Sequence, residues 1–152
     1  MKIVAAMVLL FTIIFPMIQG EVTNSDDATH GLIDVIAKVD KEKSARTPNI
    51  KVPYDITVVE NTQQSVDEGH SPWNLDPLFV AQVFASLQLS PEGIIGDYPI
   101  DYEDLKIIKQ TNSDAIVRVN SEKSAIAKIY LKRLVRQDPT GIWTVVGYDL
   151  KK

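Results

Sequence analysis

Residues 123–149, KSAIAKIYLKRLVRQDPTGIWTVVGYD, decide the fold. Near their centre, Asp138-Pro139-Thr140-Gly141 has the chemistry of a tight turn. Asp at the first position can accept a hydrogen bond from the backbone two residues on, Pro at the second has its φ preset, and Gly at the fourth tolerates a positive φ. The flanks are β-branched and aromatic, as strands prefer. The expectation is two long antiparallel strands joined as a hairpin. Before the turn, Ala125, Ala127, Ile129, Leu131, Arg133 and Val135 share one face and read mostly as core. Ile126, Lys128, Tyr130, Lys132, Leu134 and Arg136 share the other, which reads as half wet. After the turn, Ile142, Thr144, Val146 and Tyr148 fall on one face and Trp143 and Val145 on the other. Apolar residues on both faces predict a strand away from the exposed edge or beneath a helix.

Upstream, residues 105–111 and 115–120 read as two more strands around an Asn112-Ser113-Asp114 turn, and 121–124 turn into the hairpin. Asp76 and Pro77 open the best helix in the chain, Asp as N-cap and Pro at the first helical position. Val80, Val83, Phe84 and Leu87 give it an apolar stripe, and Ser90-Pro91 ends it. Residues 92–104 form an acidic loop with two tyrosines. The pattern predicts an α+β domain over 61–152, one long helix packed on a curved antiparallel sheet of about four strands. Residues 21–60 precede it. Leu32, Ile33, Ile36 and Val39 predict a helix over 31–43, with Val35 and the β-branched bias leaving a strand as the alternative, residues 44–53 a linker broken by Pro48 and Pro53, and the alternating 54–60, YDITVVE, a strand. Residues 62–68 read as a short helix closed by Gly69.

The first twenty residues stand apart. Lys2 is followed by an apolar run over 3–15 with a single Thr, then by Pro16 and by Gly20 at a small-residue cut. This is the pattern of a secretory signal peptide. An uncleaved anchor is the rival, but the run is shorter than the ~20 apolar residues of a spanning helix. The expected location is secreted or cell-envelope-associated, with no stable membrane insertion after cleavage. The chain has no cysteine, which excludes disulfides, thiol chemistry and Cys-ligated zinc. Net charge is -4, and loss of Lys2 makes the mature chain one unit more acidic, which argues against a nucleic-acid partner.

A helix on a curved antiparallel sheet ending in Gly141, Trp143, Val145 and Gly147, after the basic strand of residues 129–134, resembles the cystatin-like or NTF2-like architecture. The chain is also similar to small secreted proteins of Gram-positive bacteria. The carriers are Gly69, His70, Pro72, Trp73, Asp76 and Pro77, a Gly-His-x-Pro-Trp-x-x-Asp-Pro segment. NTF2-like domains include enzymes, binding modules and partners without chemistry, so the resemblance implies a fold and not an activity.

Three groups are candidates for a site. His70 stands near Asp67, Glu68, Trp73 and Asp76, a set that could serve acid–base chemistry or a metal. A cap, a stiffened turn and a buried Trp explain the same residues structurally, and a single His without a second ligand at metal spacing is a weak signal. Lys128, Tyr130 and Lys132, with Arg136 beyond them, form a basic strand face that could bind a polyanion such as a cell-wall polymer. The competing reading is a solvated face whose cations pair with carboxylates. Glu92, Asp97, Asp101, Glu103 and Asp104 could hold calcium but lack the EF-hand spacing. No nucleophile motif or phosphate-binding loop occurs.

The expected function is a non-enzymatic binding or interaction domain with no cofactor, metal site or catalytic residue. Its expected binding residues are His70, Trp73, Lys128, Tyr130 and Lys132, and its partner is a protein or cell-wall polymer. The expected ligand surface is the mouth between helix and sheet, near Trp73, Phe79, Tyr98 and Tyr102. The alternative is a small enzyme using His70 and a nearby carboxylate. Homodimerisation through the sheet face, burying Tyr130 and Leu134, is a third possibility. Expressed in a Gram-positive host, the chain should appear in the medium or envelope beginning at Glu21, as N-terminal sequencing would show. A membrane-bound product retaining residues 1–20 would establish the anchor instead.

Overall fold

The computed structural model describes residues 47–152, together with the helical residues Leu32, Ile33, Val35, Ile36 and Lys38. Those five agree with the helix expected over 31–43; the signal segment lies outside the described residues. The chain separates into two units, 1–37 and 38–152, and the architecture below is that of the second.

It is an open five-stranded antiparallel sheet with two helices, α+β in class. The elements in chain order are β1 (Ile50–Lys51), α1 (Ile56–Asp67), α2 (Pro77–Leu89), β2 (Leu105–Gln110), β3 (Asp114–Val119), β4 (Ile126–Lys132) and β5 (Thr144–Leu150). Strand order is β1-β5-β4-β3-β2, so β2 to β5 form the expected meander. β1 is added beside β5 from inside the segment that sequence alone reads as a linker. The expected single helix and roughly four strands become two helices of similar length and five strands.

α1 replaces the strand expected over 54–60. Its β-branched residues alternate with polar ones, but a local cap overrides that signal. Asp55 accepts from the Thr57 N–H through Oδ1 at 2.8 Å, and the buried residues Val59, Gln63 and Val66 recur at helical spacing. Gly69, at φ +89°, closes the helix, and the His70 N–H returns to the Ser65 carbonyl at 2.9 Å. The helix crosses residue 60, where the boundary of the main domain was expected.

α2 has Asp76 as its N-cap and Pro77 in its first turn, and Ser90 follows its last residue. It crosses β2, β3, β4 and β5. The face against the sheet is made of small and polar residues, Ala81, Gln82, Ala85 and Ser86. The two alanines allow close approach. The two polar groups hold the loop beyond: Gln82 Nε2 donates to the Ile100 carbonyl at 2.9 Å, and the Ile100 N–H donates to Ser86 Oγ at 3.2 Å. Beneath lie Val117, Val119, Ile126, Ile129, Leu131 and Trp143.

The 138–141 turn exists, with the Gly141 N–H on the Asp138 carbonyl at 3.0 Å. It does not join two strands directly, because β4 stops at Lys132 and β5 starts at Thr144. The turn is the tip of a longer connection that α1 holds. Gln63 Nε2 donates to the Thr140 carbonyl at 3.0 Å, and its Oε1 accepts from the Ile142 N–H at 2.9 Å. Val59 and Val66 pack on Ile142. The face assignment also changes along β4 and β5. Register shifts between Ile126 and Lys128 and between Tyr130 and Leu131 bring Ile126 into the core with Ile129, and Val145 with Tyr148. A strict two-residue alternation cannot do this.

Two glycines are there because backbone passes too close for a side chain. A Cβ on Gly141 would lie 1.8 Å from the Arg136 carbonyl oxygen. On Gly147 it would lie 2.3 Å from Pro48 Cγ and 2.6 Å from the Ile50 carbonyl oxygen, where β1 crosses β5. Gly147→Ala should therefore cost about 1–3 kcal/mol by overpacking. Urea unfolding would show this as a lower midpoint at unchanged slope. Ile95→Ala, at a side chain 97% exposed, is the control and should stay within about 0.5 kcal/mol.

Candidate functional site

The segment between α1 and α2 is set by its two ends. Gly69 leaves α1 left-handed, Ser71 follows with φ 49°, and Pro72–Leu75 form one short turn of helix. His70 is exposed on this bend. The carboxylates expected to partner it have other bonds. Asp67 takes Arg136 in a two-pronged pair, at 3.0 Å to Oδ1 and 2.7 Å to Oδ2. Glu68 accepts from Gln64 at 3.1 Å. Asp76 accepts from the Leu78 N–H at 2.9 Å and from the Tyr102 hydroxyl at 2.8 Å. Burial, and then Asp76, push the Tyr102 hydroxyl up to about 12. Among the described residues no group of three or more His, Asp or Glu is placed to hold a metal, the acidic loop included.

Trp73 is not the buried staple that sequence alone suggests; half of it is exposed. Its ring lies 6.4 Å from that of Phe79, tilted, and Phe79 meets Tyr98 edge-on at 5.7 Å. Three of the four aromatics expected at the mouth thus form a row, and Tyr102 joins them through Asp76. Beside the row runs an apolar groove of about 240 Å³ lined by Trp73, Phe79, Val80, Val83, Phe84 and Leu87. The stripe Val80, Val83, Phe84 and Leu87, expected against the sheet, divides: Val80 and Phe84 pack on the core from its edge, and all four line this groove. The sheet takes the alanines. Phe84 reaches the core at its edge, 5.7 Å from the Tyr148 ring. α2 holds no charged residue at all, PLFVAQVFASLQL.

The basic strand residues lie on the other side of the sheet, apart from His70 and Trp73. Lys128 stands half-buried in register with Asp149. Tyr130 is buried, and its hydroxyl donates to Asp149 Oδ2 at 2.8 Å. Burial and that carboxylate raise the hydroxyl well above the ordinary tyrosine value. Lys132 pairs with Asp114 at 3.2 Å. Tyr130 and Leu134, the residues that a sheet-face dimer would bury, are already buried and half-buried within one chain. The groove residues Asn74 and Val145 carry no sequence signal of their own; only the fold brings them to α2.

No family model, curated protein or solved structure matches this chain. Among the described residues no helix is long and apolar enough to cross a membrane.

Two exposed ion pairs make a small contribution to the unit's acid dependence. The Arg136 hydrogen bond holds the Asp67 carboxyl below its ordinary value. Burial opposes the same shift at Asp114, but Ser113 and Lys132 outweigh it. A depressed folded pKa contributes stability above the unfolded value, about 3.9, that is lost as pH falls through the folded one. Urea midpoints should therefore be flat from pH 7 to about 5 and fall below about pH 4. Arg136→Gln should flatten that acid-side decline; an unchanged decline would show that Asp67 plays no part in it.

Proposed function

We propose that the chain is a secreted or cell-envelope-associated, non-enzymatic interaction domain whose α2 groove receives apolar or aromatic side chains of a protein partner. One observation carries the reading. α2 carries no charge, and its large apolar side chains Val80, Val83, Phe84 and Leu87 line an open groove beside the Ala81, Gln82, Ala85 and Ser86 face that the sheet covers. An exposed apolar surface of this kind marks an interaction site. The groove is smaller than the ~300–1,000 Å³ of pockets that enclose whole small molecules. It suits side chains projecting from a peptide, as in helix-in-groove recognition. Trp73, half exposed at one end and backed by Phe79, supplies the kind of aromatic anchor that dominates such interfaces. The cystatin-like or NTF2-like assignment and the Gram-positive secreted kinship belong to this proposal, supported by the helix on an antiparallel meander and by the segment from Gly69 to Pro77.

A displayed random-peptide library would test it. Selected peptides should carry apolar residues at i, i+3 or i+4, and i+7. Leu87→Glu changes an exposed residue and should fold, yet it should weaken those peptides at least about tenfold by placing a charge in the contact. Lys132→Gln, on the far face, should leave them unchanged. Peptides that bind the Leu87→Glu protein equally well would overturn the groove as the site.

A further inference from the structure

We infer that the sheet face opposite α2 carries a second binding site, for a small organic anion with an apolar body, such as a medium-chain carboxylate. A cavity of about 340 Å³ opens there, at the small end of the ligand-pocket range of about 300–1,000 Å³. Its floor is apolar. Ile116 and Tyr130 stand directly opposite each other on β3 and β4, and Val146 continues the surface on β5. Their neighbours Val117, Ile129 and Leu131 belong to the core under α2, so alternation turns Ile116 and Tyr130 the other way, and Val146, the extra residue at the β5 register shift, borders the same hollow. The Tyr130 hydroxyl is taken by Asp149, which leaves the ring as floor.

The rim is charged, and its balance is positive. Lys109 and Lys132 border the cavity with one carboxylate, Asp114, between them. Asp114 pairs with Lys132 at 3.2 Å, feels the charge of Lys109, and accepts from the Ser113 hydroxyl. Among the lining residues two ammonium groups stand against one carboxylate, and Asp149, outside the lining, spends its oxygens on the Tyr130 hydroxyl and the Asn49 N–H. An apolar floor below an excess of one cation matches a monoanion with a hydrocarbon body. A polyphosphate or nucleic-acid backbone would waste the floor and meet Asp114. The far wall is Pro48, seated only because Gly147 has no side chain. This site does not depend on the α2 groove, which lies on the other face.

The test is an NMR titration of the full chain with three probes: octanoate, octan-1-ol with the same tail and no charge, and acetate with the charge and no tail. Octanoate should shift the Ile116 and Val146 methyl signals saturably, and acetate should not. The Lys109→Gln, Lys132→Gln double variant should weaken octanoate about tenfold, the scale of one lost charge-assisted contact, and leave octan-1-ol unchanged. Added salt should weaken octanoate in the same sense. Both lysines are at least partly exposed, and a single cooperative urea transition would confirm that the variant folds. Leu87→Glu should leave octanoate binding intact, which keeps this result separate from the peptide experiment. Equal binding of octanoate and octan-1-ol, indifference to the double variant, or shifts centred on Val83 and Leu87 would overturn the inference.

Discussion

A buried guanidinium holds the connection between β4 and β5 in place, and the surfaces on both sides of the sheet follow from it. Arg133 is the first residue after β4 and is 8% exposed. Its Nε donates to the Gly141 carbonyl at 2.9 Å and its Nη1 to the Asn112 carbonyl at 2.9 Å. Its own N–H donates to the Ser113 carbonyl at 2.8 Å. The guanidinium carbon sits 4.2 Å from the centre of the Trp143 ring. One side chain thus ties the end of β4, the β2–β3 turn and the far end of the connection to the largest ring in the core. Burial lowers its pKa, and the charge is met by carbonyl dipoles, the aromatic face and the more distant Asp138. Removing it would leave the carbonyl of the buried Gly141 without this partner, which costs more than the bond itself contributes.

With that connection fixed, α1 has something to grip. Gln63 uses both ends of its amide on the connection, and Arg136 reaches back to Asp67. Trp143 in turn donates its backbone N–H to the Asn74 carbonyl at 2.9 Å. That bond anchors the segment carrying Trp73 at the start of α2. The groove is therefore built by a chain of contacts running from Arg133 through Trp143 to Asn74, although none of these residues is a sequence motif for binding.

The two faces of the sheet differ in kind. Under α2 the contacts are between alanines and β-branched side chains, which bring the helix close and push its larger residues outward. On the opposite face, among the described residues, Pro48, Tyr130 and Ile116 leave a hollow edged by lysines. Three cations around that hollow and beyond it have acidic partners. Lys132 meets Asp114, Arg136 meets Asp67 and Lys123 meets Asp101. Exposed pairs of this kind contribute only about 0–1 kcal/mol each, so they set the local charge balance more than the stability.

Local chemistry was legible in the sequence wherever a residue acts on its own backbone neighbours. Asp76 and Pro77 start α2, Gly69 ends α1, Asp138 and Gly141 make their turn, and the alternation over β2 to β4 gives the meander. The alternation that placed Arg133 on the inward side of β4 was also right, since Arg133 is buried. It could not say that the chain stops being a strand there. The local reading failed where packing outweighed propensity. Residues 54–60 look like a strand until Gln63 and Val66 are seen buried against a connection some 75 residues away in the chain. β1 is too short to announce itself and exists because Gly147 admits Pro48. The α2 stripe is apolar as its spacing says, but only Val80 and Phe84 reach the core, while Val83 and Leu87 stay in the groove. Hydrophobic spacing reports that a face avoids water; it does not report whether alanine or phenylalanine fits the space above a sheet. The sequence by itself determined the α+β class, the caps, the turns and the order of the meander, because those depend on bonds within a few residues. Which apolar face is covered, which cations are paired and where the hollows lie were decided only by tertiary structure, because each depends on residues brought together from distant parts of the chain.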